Sequence, residues 1–312
     1  MRGIYRPGYL RMADEGSLRS RVEEAWAHLR ACDLCPRHCG VDRVAGETGY
    51  CRAGVTVRLA SANIHIWEEP PISGTGGSGT LFFSYCTARC IFCQNYPISQ
   101  LGVGGDLEIA ELAEKMLYLQ RQGCHNVNLV TAAHYVPQVL AAVERAATQG
   151  LHIPLVYNSS GYDSLETLRL LDGVVDLYLP DSKYADDTVA WRISRFSDYV
   201  RHNRAALREI HRQVGDDLVL DDEGIAVRGM IVRHLVLPDG LSQTPEVLEW
   251  IAKNLSKEVH ISLMSQYFPA HHAVRHPVLN RRLTQEEYDV AVAAPDALGL
   301  ENGWRQEMDP LY

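Results

Sequence analysis

Residues 79–93 read GTLFFSYCTARCIFC: a short apolar run, then three thiols within eight residues. Outward from this stretch, apolar runs recur near 127–131, 153–157, 174–179, 230–237 and 260–264. Amphipathic segments follow them at 107–121, 135–149, 162–172, 187–214, 244–254 and 284–294. Short apolar runs alternating with helical patterns spell βα units. Six of them predict an α/β chain with a parallel sheet, open or curled into a partial (β/α)6 barrel. The acidic DDLVLDDEG at 216–224 reads as a hairpin or loop inserted before the fifth strand.

Ahead of the repeat, residues 17–30 (SLRSRVEEAWAHLR) place Leu18, Val22, Ala25, Trp26 and Leu29 at helical spacing, with a serine available as cap. Residues 32–54 are rich in Cys, Gly and Arg without periodicity, and 55–66 read as a strand. The expected division is a helix and four-cysteine module over 1–75, then a barrel over 76–312 with a C-terminal helical segment. Gly74-x-Gly76-x-x-Gly79 has the letters of a dinucleotide fingerprint, but it precedes a strand instead of opening a helix. It reads as a flexible loop that lets backbone approach the thiols.

The 312 residues are 46% hydrophobic and 22% charged, enough for one α/β barrel or two modest domains. No stretch approaches the roughly 20 apolar residues of a membrane helix, and no signal-peptide run opens the chain, so the expectation is a cytoplasmic protein without a membrane partner. The net charge of −9, with no Lys/Arg-rich run, argues against a nucleic-acid partner. In a reducing compartment eight cysteines point to metal or chemistry before disulfides, and seven of them fall into two groups. Cys124 stands apart and reads as a core thiol.

Cys86, Cys90 and Cys93 lie just past the first apolar run, where parallel α/β folds build their active sites. Structural zinc closes its tetrahedron with four protein ligands, whereas a cubane iron–sulfur cluster on three thiolates leaves one iron open to another ligand. Cys32, Cys35, Cys39 and Cys51 supply four thiolates, sufficient for a structural zinc or a whole second 4Fe-4S cluster, and either would staple a segment too short for its own core.

The residues at or after the end of each run, or within it in the fifth, are polar: Thr131 and His134, then Asn158, Ser159 and Ser160, then Asp181 and Lys183, then Arg233 and His234 within the fifth, then Gln266 and Tyr267. Such a set could surround a zwitterionic, ribose-bearing cofactor. Each also has a plainer role: Asn158 and Ser159 as helix caps, Asp181 and Lys183 as a salt bridge, His134 as a satisfied helix-start histidine. His271, His272 and His276 show no ligand pattern and read as surface or substrate-pocket residues.

Cys-x3-Cys-x2-Cys with Phe92 before its last cysteine resembles the signature of the radical S-adenosylmethionine (radical SAM) superfamily. The segments GTLFFSYC, NLVT, VYNSSGY and DLYLPDSKY, behind four earlier cysteines, resemble the PflX-like relatives of pyruvate formate-lyase activating enzyme over nearly the whole chain. The resemblance implies a 4Fe-4S cluster whose open iron is chelated by the amino and carboxyl groups of SAM. A reduced cluster would pass one electron to the sulfonium, and the 5′-deoxyadenosyl radical would abstract hydrogen from substrate. It further implies Thr131 near the methionine end of SAM, Asn158 to Ser160 near the ribose, and Asp181, Lys183 and Arg233 near charged groups of SAM or substrate. An electron donor such as flavodoxin or ferredoxin and a protein or peptide substrate are the implied partners. Glycyl-radical activation is one version of this activity; hydrogen abstraction from a peptide side chain or small metabolite is the other. The alternative class is a zinc-bound structural or interaction protein without SAM chemistry.

Overall fold

In the computed structural model, which describes residues 5–308, every apolar run singled out above becomes a strand of one sheet. The elements are α1 (Gly8–Asp14), α2 (Ser17–Ala27), β1 (Val57–His65), α3 (Pro70–Ser73), β2 (Ser78–Phe83), α4 (Tyr96–Ser99) and β3 (Gly105–Leu107). They continue with α5 (Ile109–Arg121), β4 (Val127–Val130), α6 (Val136–Thr148), β5 (Leu155–Ser159), α7 (Leu165–Leu171), β6 (Leu177–Pro180), α8 (Asp187–Ser194) and α9 (Tyr199–Val214). Then come β7 (Val219–Leu220), β8 (Ala226–Leu235), α10 (Thr244–Asn254), β9 (His260–Met264), α11 (Gln285–Leu298) and β10 (Gly303–Arg305).

The strand order is β10-β9-β8-β6-β5-β4-β2-β1-β3, with β7 hairpinned onto β8 inside the 216–224 insertion. From β2 to β10 the neighbours are parallel, and the path does not close, so the sheet is an open partial barrel. Its two faces divide the side chains by strand parity. Leu155, Tyr157, Leu129 and Met230 join the large core beneath the helices, while Val156, Leu177, Leu179 and Ile231 meet Ile72 on the other face. Each such buried aliphatic contributes about 1.5–3 kcal/mol. α9 shows the matching helical stripe, burying Tyr199, Asn203, Ala206, Leu207, Ile210 and Val214.

Several expectations are corrected. Helix 17–30 is shorter, is preceded by an unanticipated α1, and starts on Gly16 with no side-chain cap; the Ser17 hydroxyl donates back to the Met12 carbonyl at 3.3 Å. Strand 55–66 does not stay with the N-terminal cysteines but pairs antiparallel with β2, extending the barrel edge. The C-terminal segment ends in a seventh parallel strand, β10, whose three residues carry too little pattern to show in sequence. The glycine loop at 74–79 lies at the amino end of β2, where the Gly76 amide donates to His125 Nε2 at 2.8 Å, opposite the end that leads to Cys86. It cannot bring backbone to the thiols.

The expected helix 187–214 is two helices. Arg195 and Asp198 take left-handed conformations, φ 58° and 49°, and Phe196 turns inward between Tyr162 and Tyr199, ring centroids 4.7 and 4.8 Å away. Burying that ring offsets the strain of two left-handed non-glycine residues.

Candidate functional site

The cysteine loop leaves β2 through Tyr85, at φ 72°, whose ring packs where a side chain on Gly102 would sit. The break after α8 then explains itself. Ile193 and Ser194 carbonyls, freed at the helix end, accept from the Ile91 and Arg89 amides, both at 2.9 Å. Arg89 also donates to the Cys86 carbonyl at 2.9 Å and to the Tyr50 carbonyl at 2.6 Å, and Arg37 Nε donates to the Thr87 carbonyl at 2.7 Å. The loop is therefore shaped by protein hydrogen bonds from both the barrel and the N-terminal segment.

Burial pushes the Cys86 thiol up to about 11 and Cys90 up to about 12, each opposed by the nearby Lys183 ammonium and raised further by neighbouring thiols. Donors address the sulfurs: the Ala88 amide reaches Cys86 Sγ at 3.3 Å, and Ser99 Oγ lies 3.2 Å from Cys93 Sγ. Three neighbouring thiols on one loop, with N–H and O–H donors on Cys86 and Cys93 and a cation near Cys86 and Cys90, fit a group that binds thiolates. Hydrogen bonds of this kind stabilise thiolate charge and tune cluster potential.

Lys183, near Cys86 and Cys90, forms one buried network with three other residues singled out from sequence. Lys183 Nζ donates to Asp181 Oδ2 at 2.6 Å, Arg233 Nε to Asp181 Oδ1 at 3.1 Å, and Arg233 Nη2 to Asn158 Oδ1 at 2.6 Å. Although burial opposes it, the two cations hold the Asp181 carboxyl below its ordinary range. So the plain reading of Asp181 and Lys183 as a salt bridge is correct as geometry, and Arg233 enlarges it. Asn158 is no helix cap; Ser164 fills that place, accepting from the Thr167 amide. Thr131 and Ser160 sit half-buried at their strand ends, outside the network. Thr131 is left-handed, φ 59°, a costly conformation for a β-branched residue and one that clusters at functional sites.

Two contributors gave no sequence signal, Glu68 and Glu69 in the β1–α3 connection. Glu68 Oε2 lies 3.5 Å from Arg233 Nη1, and its Oε1 accepts from Asn128 at 3.2 Å. Burial, reinforced by Glu69 and opposed by Arg233, pushes its carboxyl up to about 7. A raised carboxyl means the folded state holds the proton more tightly, so this group's contribution to stability is greatest below the ordinary value of 4.5 and falls as pH rises toward 7. Glu68→Gln is expected to gain roughly 1–3 kcal/mol on the wild type between pH 5 and 7.5 in urea titrations; parallel pH profiles would sink this assignment.

Gly161, φ 65°, has the Asp181 carbonyl and Asn203 Nδ2 where a side chain would stand. Asn203 Nδ2 donates to the Asp181 carbonyl at 2.8 Å, tying the β5 and β6 ends together. Gly161→Ala is expected to cost about 2 kcal/mol by denaturant midpoint.

His134 is buried with Nε2 at 2.8 Å from the Ser84 carbonyl, and burial lowers it to about 3, so it is a neutral structural histidine. His271 stacks on Tyr96, centroids 4.5 Å apart, beside the cysteine loop. Gln266 and Tyr267 line a cavity of about 370 Å³ next to Gln94, with Phe268 and Met308. Cys124 is the buried core thiol anticipated.

In the N-terminal segment Cys32, Cys35 and Cys51 are buried, with only Leu29 and Leu34 fully buried beside Cys32 in their local cluster. Burial raises the Cys35 and Cys51 thiols, and neighbouring thiols of the set add to it. Among the described residues no three ligand side chains close to single-ion spacing. Arg43, 1% exposed, donates to the His134 carbonyl at 2.7 Å and to Gly54, bolting the segment to the barrel.

Residues 80–223 match the family model described as the radical SAM superfamily. The chain is 31% identical over 289 residues to the uncharacterized protein MJ0674 of Methanocaldococcus jannaschii, covering 90% of this chain and 79% of that protein. Among solved structures it is similar to methylornithine synthase PylB, with 15% identity, 93% and 77% coverage and TM-score 0.48. It is also similar to HydG, a maturase of the FeFe hydrogenase, with 10% identity and TM-score 0.46, covering 71% of this chain and 48%, about half, of HydG's length. No helix among the described residues is long and apolar enough to cross a membrane.

Proposed function

We propose that this chain, which belongs to the radical SAM superfamily, is an activating-enzyme-like oxidoreductase that reductively cleaves SAM and abstracts hydrogen from its substrate. The observation that carries the reading is the loop of Cys86, Cys90 and Cys93 beyond the end of β2 with the Lys183 ammonium near Cys86 and Cys90, Lys183 being one end of the buried Asn158–Arg233–Asp181–Lys183 network. When bound, a 4Fe-4S cluster supplies the electron that splits SAM. The chain's own part is to present three thiolates, to offset their charge with Lys183, and to keep the space beside them lined with fixed polar groups.

In this reading Cys86, Cys90 and Cys93 hold the cluster, and Thr131, Asn158, Ser160, Asp181, Lys183 and Arg233 contact SAM or substrate. Cys32, Cys35, Cys39 and Cys51 hold a second 4Fe-4S cluster or a zinc. The protein works in the cytoplasm with flavodoxin or ferredoxin as donor. Resemblance of the strand-end segments to activating enzymes supports a protein or peptide substrate, including the backbone glycine of a glycyl-radical enzyme.

The test is anaerobic reconstitution with counts of iron, sulfide and zinc, followed by reduction, SAM addition and assay of 5′-deoxyadenosine. Iron binding with 5′-deoxyadenosine release supports the proposal. Zinc alone with intact SAM under every reductant would replace it with the structural-zinc reading.

A further inference from the structure

The β1–α3 connection carries two acidic side chains into the barrel, and the acceptors gathered there outnumber their donors. Glu69 is 8% exposed and its Oε2 has no partner. Asn128 is fully buried on β4; its Nδ2 donates to Glu68 Oε1 at 3.2 Å, and its Oδ1 has no partner. Glu68 reaches a cation only at 3.5 Å, through an Arg233 whose Nε and Nη2 are already engaged with Asp181 and Asn158. Lys183 is likewise engaged with Asp181. Three carboxylates, Glu68, Glu69 and Asp181, thus share two cations.

We propose that Glu68, Glu69 and the Asn128 amide oxygen form a subsite for a cationic, multiply donating group of the substrate, an ammonium or a guanidinium. It rests on the radical reading above in taking the molecule that enters the barrel as the substrate.

A purely structural carboxylate would be answered by donors, because a buried acceptor left unpaired costs the full desolvation of that group. Here Glu69 Oε2 and Asn128 Oδ1 are both unanswered, and both residues adjoin Glu68, Asn128 through its hydrogen bond and Glu69 through the chain. A group with several N–H donors and a positive charge would satisfy both oxygens and relieve the repulsion between the two glutamates. The position also separates this subsite from the cofactor: Asn128 lies two residues before the end of β4, whereas the thiols lie beyond the end of β2. The residues just before the acidic pair, Ile66 and Trp67, are 58% and 82% exposed, so the chain passes from surface to interior within this connection.

The test uses reconstituted holoenzyme saturated with SAM and measures binding of three probes by anaerobic calorimetry: Nα-acetyl-lysine amide, Nα-acetyl-arginine amide and the neutral Nα-acetyl-norleucine amide. At least one cationic probe is expected to bind about tenfold or more tighter than the norleucine analogue, and the lysine–arginine order assigns ammonium or guanidinium. Glu69→Gln is expected to reduce that preference to about twofold or less while leaving the melting temperature unchanged or higher, since it removes an unpaired buried charge. Equal binding of charged and neutral probes, a preference that survives Glu69→Gln, a lower melting temperature for that variant, or displacement of the cationic probe by SAM would each overturn the assignment. Loss of 5′-deoxyadenosine formation with the cation preference intact would instead overturn the radical reading and leave the subsite in place.

Discussion

Alanine at Cys86, Cys90 and Cys93 together is expected to abolish 5′-deoxyadenosine formation and to lower bound iron by about four atoms per chain. The far-ultraviolet circular dichroism should hardly change. The loop's path is set by the Arg89 and Ile91 amides on the end of α8 and by Arg37 and Arg89 on its carbonyls, none of which is a thiol interaction. Binding of metal by thiolates adds to a frame that already exists, unlike the N-terminal set, where the local apolar cluster is small and ligation would be folding energy. Iron retained by the triple variant would belong to Cys32, Cys35, Cys39 and Cys51, and zinc retained there would assign the other metal. Undiminished iron together with undiminished SAM cleavage would remove these three cysteines from the site.

Arg233→Met is expected to destabilise the protein by about 3–5 kcal/mol, the cost of breaking a buried ion network from one side. The guanidinium is only 16% exposed and serves Asp181, Asn158 and, at longer range, Glu68. Without it Asp181 keeps only Lys183, and two neighbouring glutamates keep no cation. Burial and mutual repulsion would then protonate Glu68 over a wider pH range, so the loss should be larger at pH 8 than at pH 5. Glu68→Gln should gain about 1 kcal/mol more in the Arg233→Met chain than in the wild type, a coupling that residues in one network show and distant residues do not. The readout is the urea midpoint of the wild type, both single variants and the double variant. A cost below about 1 kcal/mol for Arg233→Met would mean that water serves these carboxylates as well as the arginine does.

Much of this architecture was legible before any coordinates. Hydrophobic periodicity is a local property, so the apolar runs and amphipathic segments named six strands and most of their helices, and α10 fell on the expected residues 244–254. The cysteine spacing named the loop at the end of β2 for the same reason: three thiols within eight residues need no distant partner to be recognised. Asn158, Asp181 and Lys183 could be picked out because each follows an apolar run, and Arg233 because it is a charged residue within one; parallel strands bring their carboxyl ends together.

What stayed hidden depends on which segments meet. β1 carries a strand pattern, yet only pairing with β2 decides that it runs antiparallel at the barrel edge. The helix pattern of 187–214 is continuous in sequence; the break at 195–198 is decided by Phe196 entering an aromatic cluster and by the cysteine loop claiming the freed carbonyls. Glu68 and Glu69 sit in a connection without periodicity, where charged residues normally face water. Their role exists only because the chain folds that connection inward against β4 and β8. The sequence by itself determined the six apolar strands, most of the helices and the place of the three thiols after the first of those strands, since each is written in the spacing of near neighbours. Only the tertiary structure decided the charge balance of the interior, because burial and pairing of a carboxylate are set by residues as far as 165 positions away.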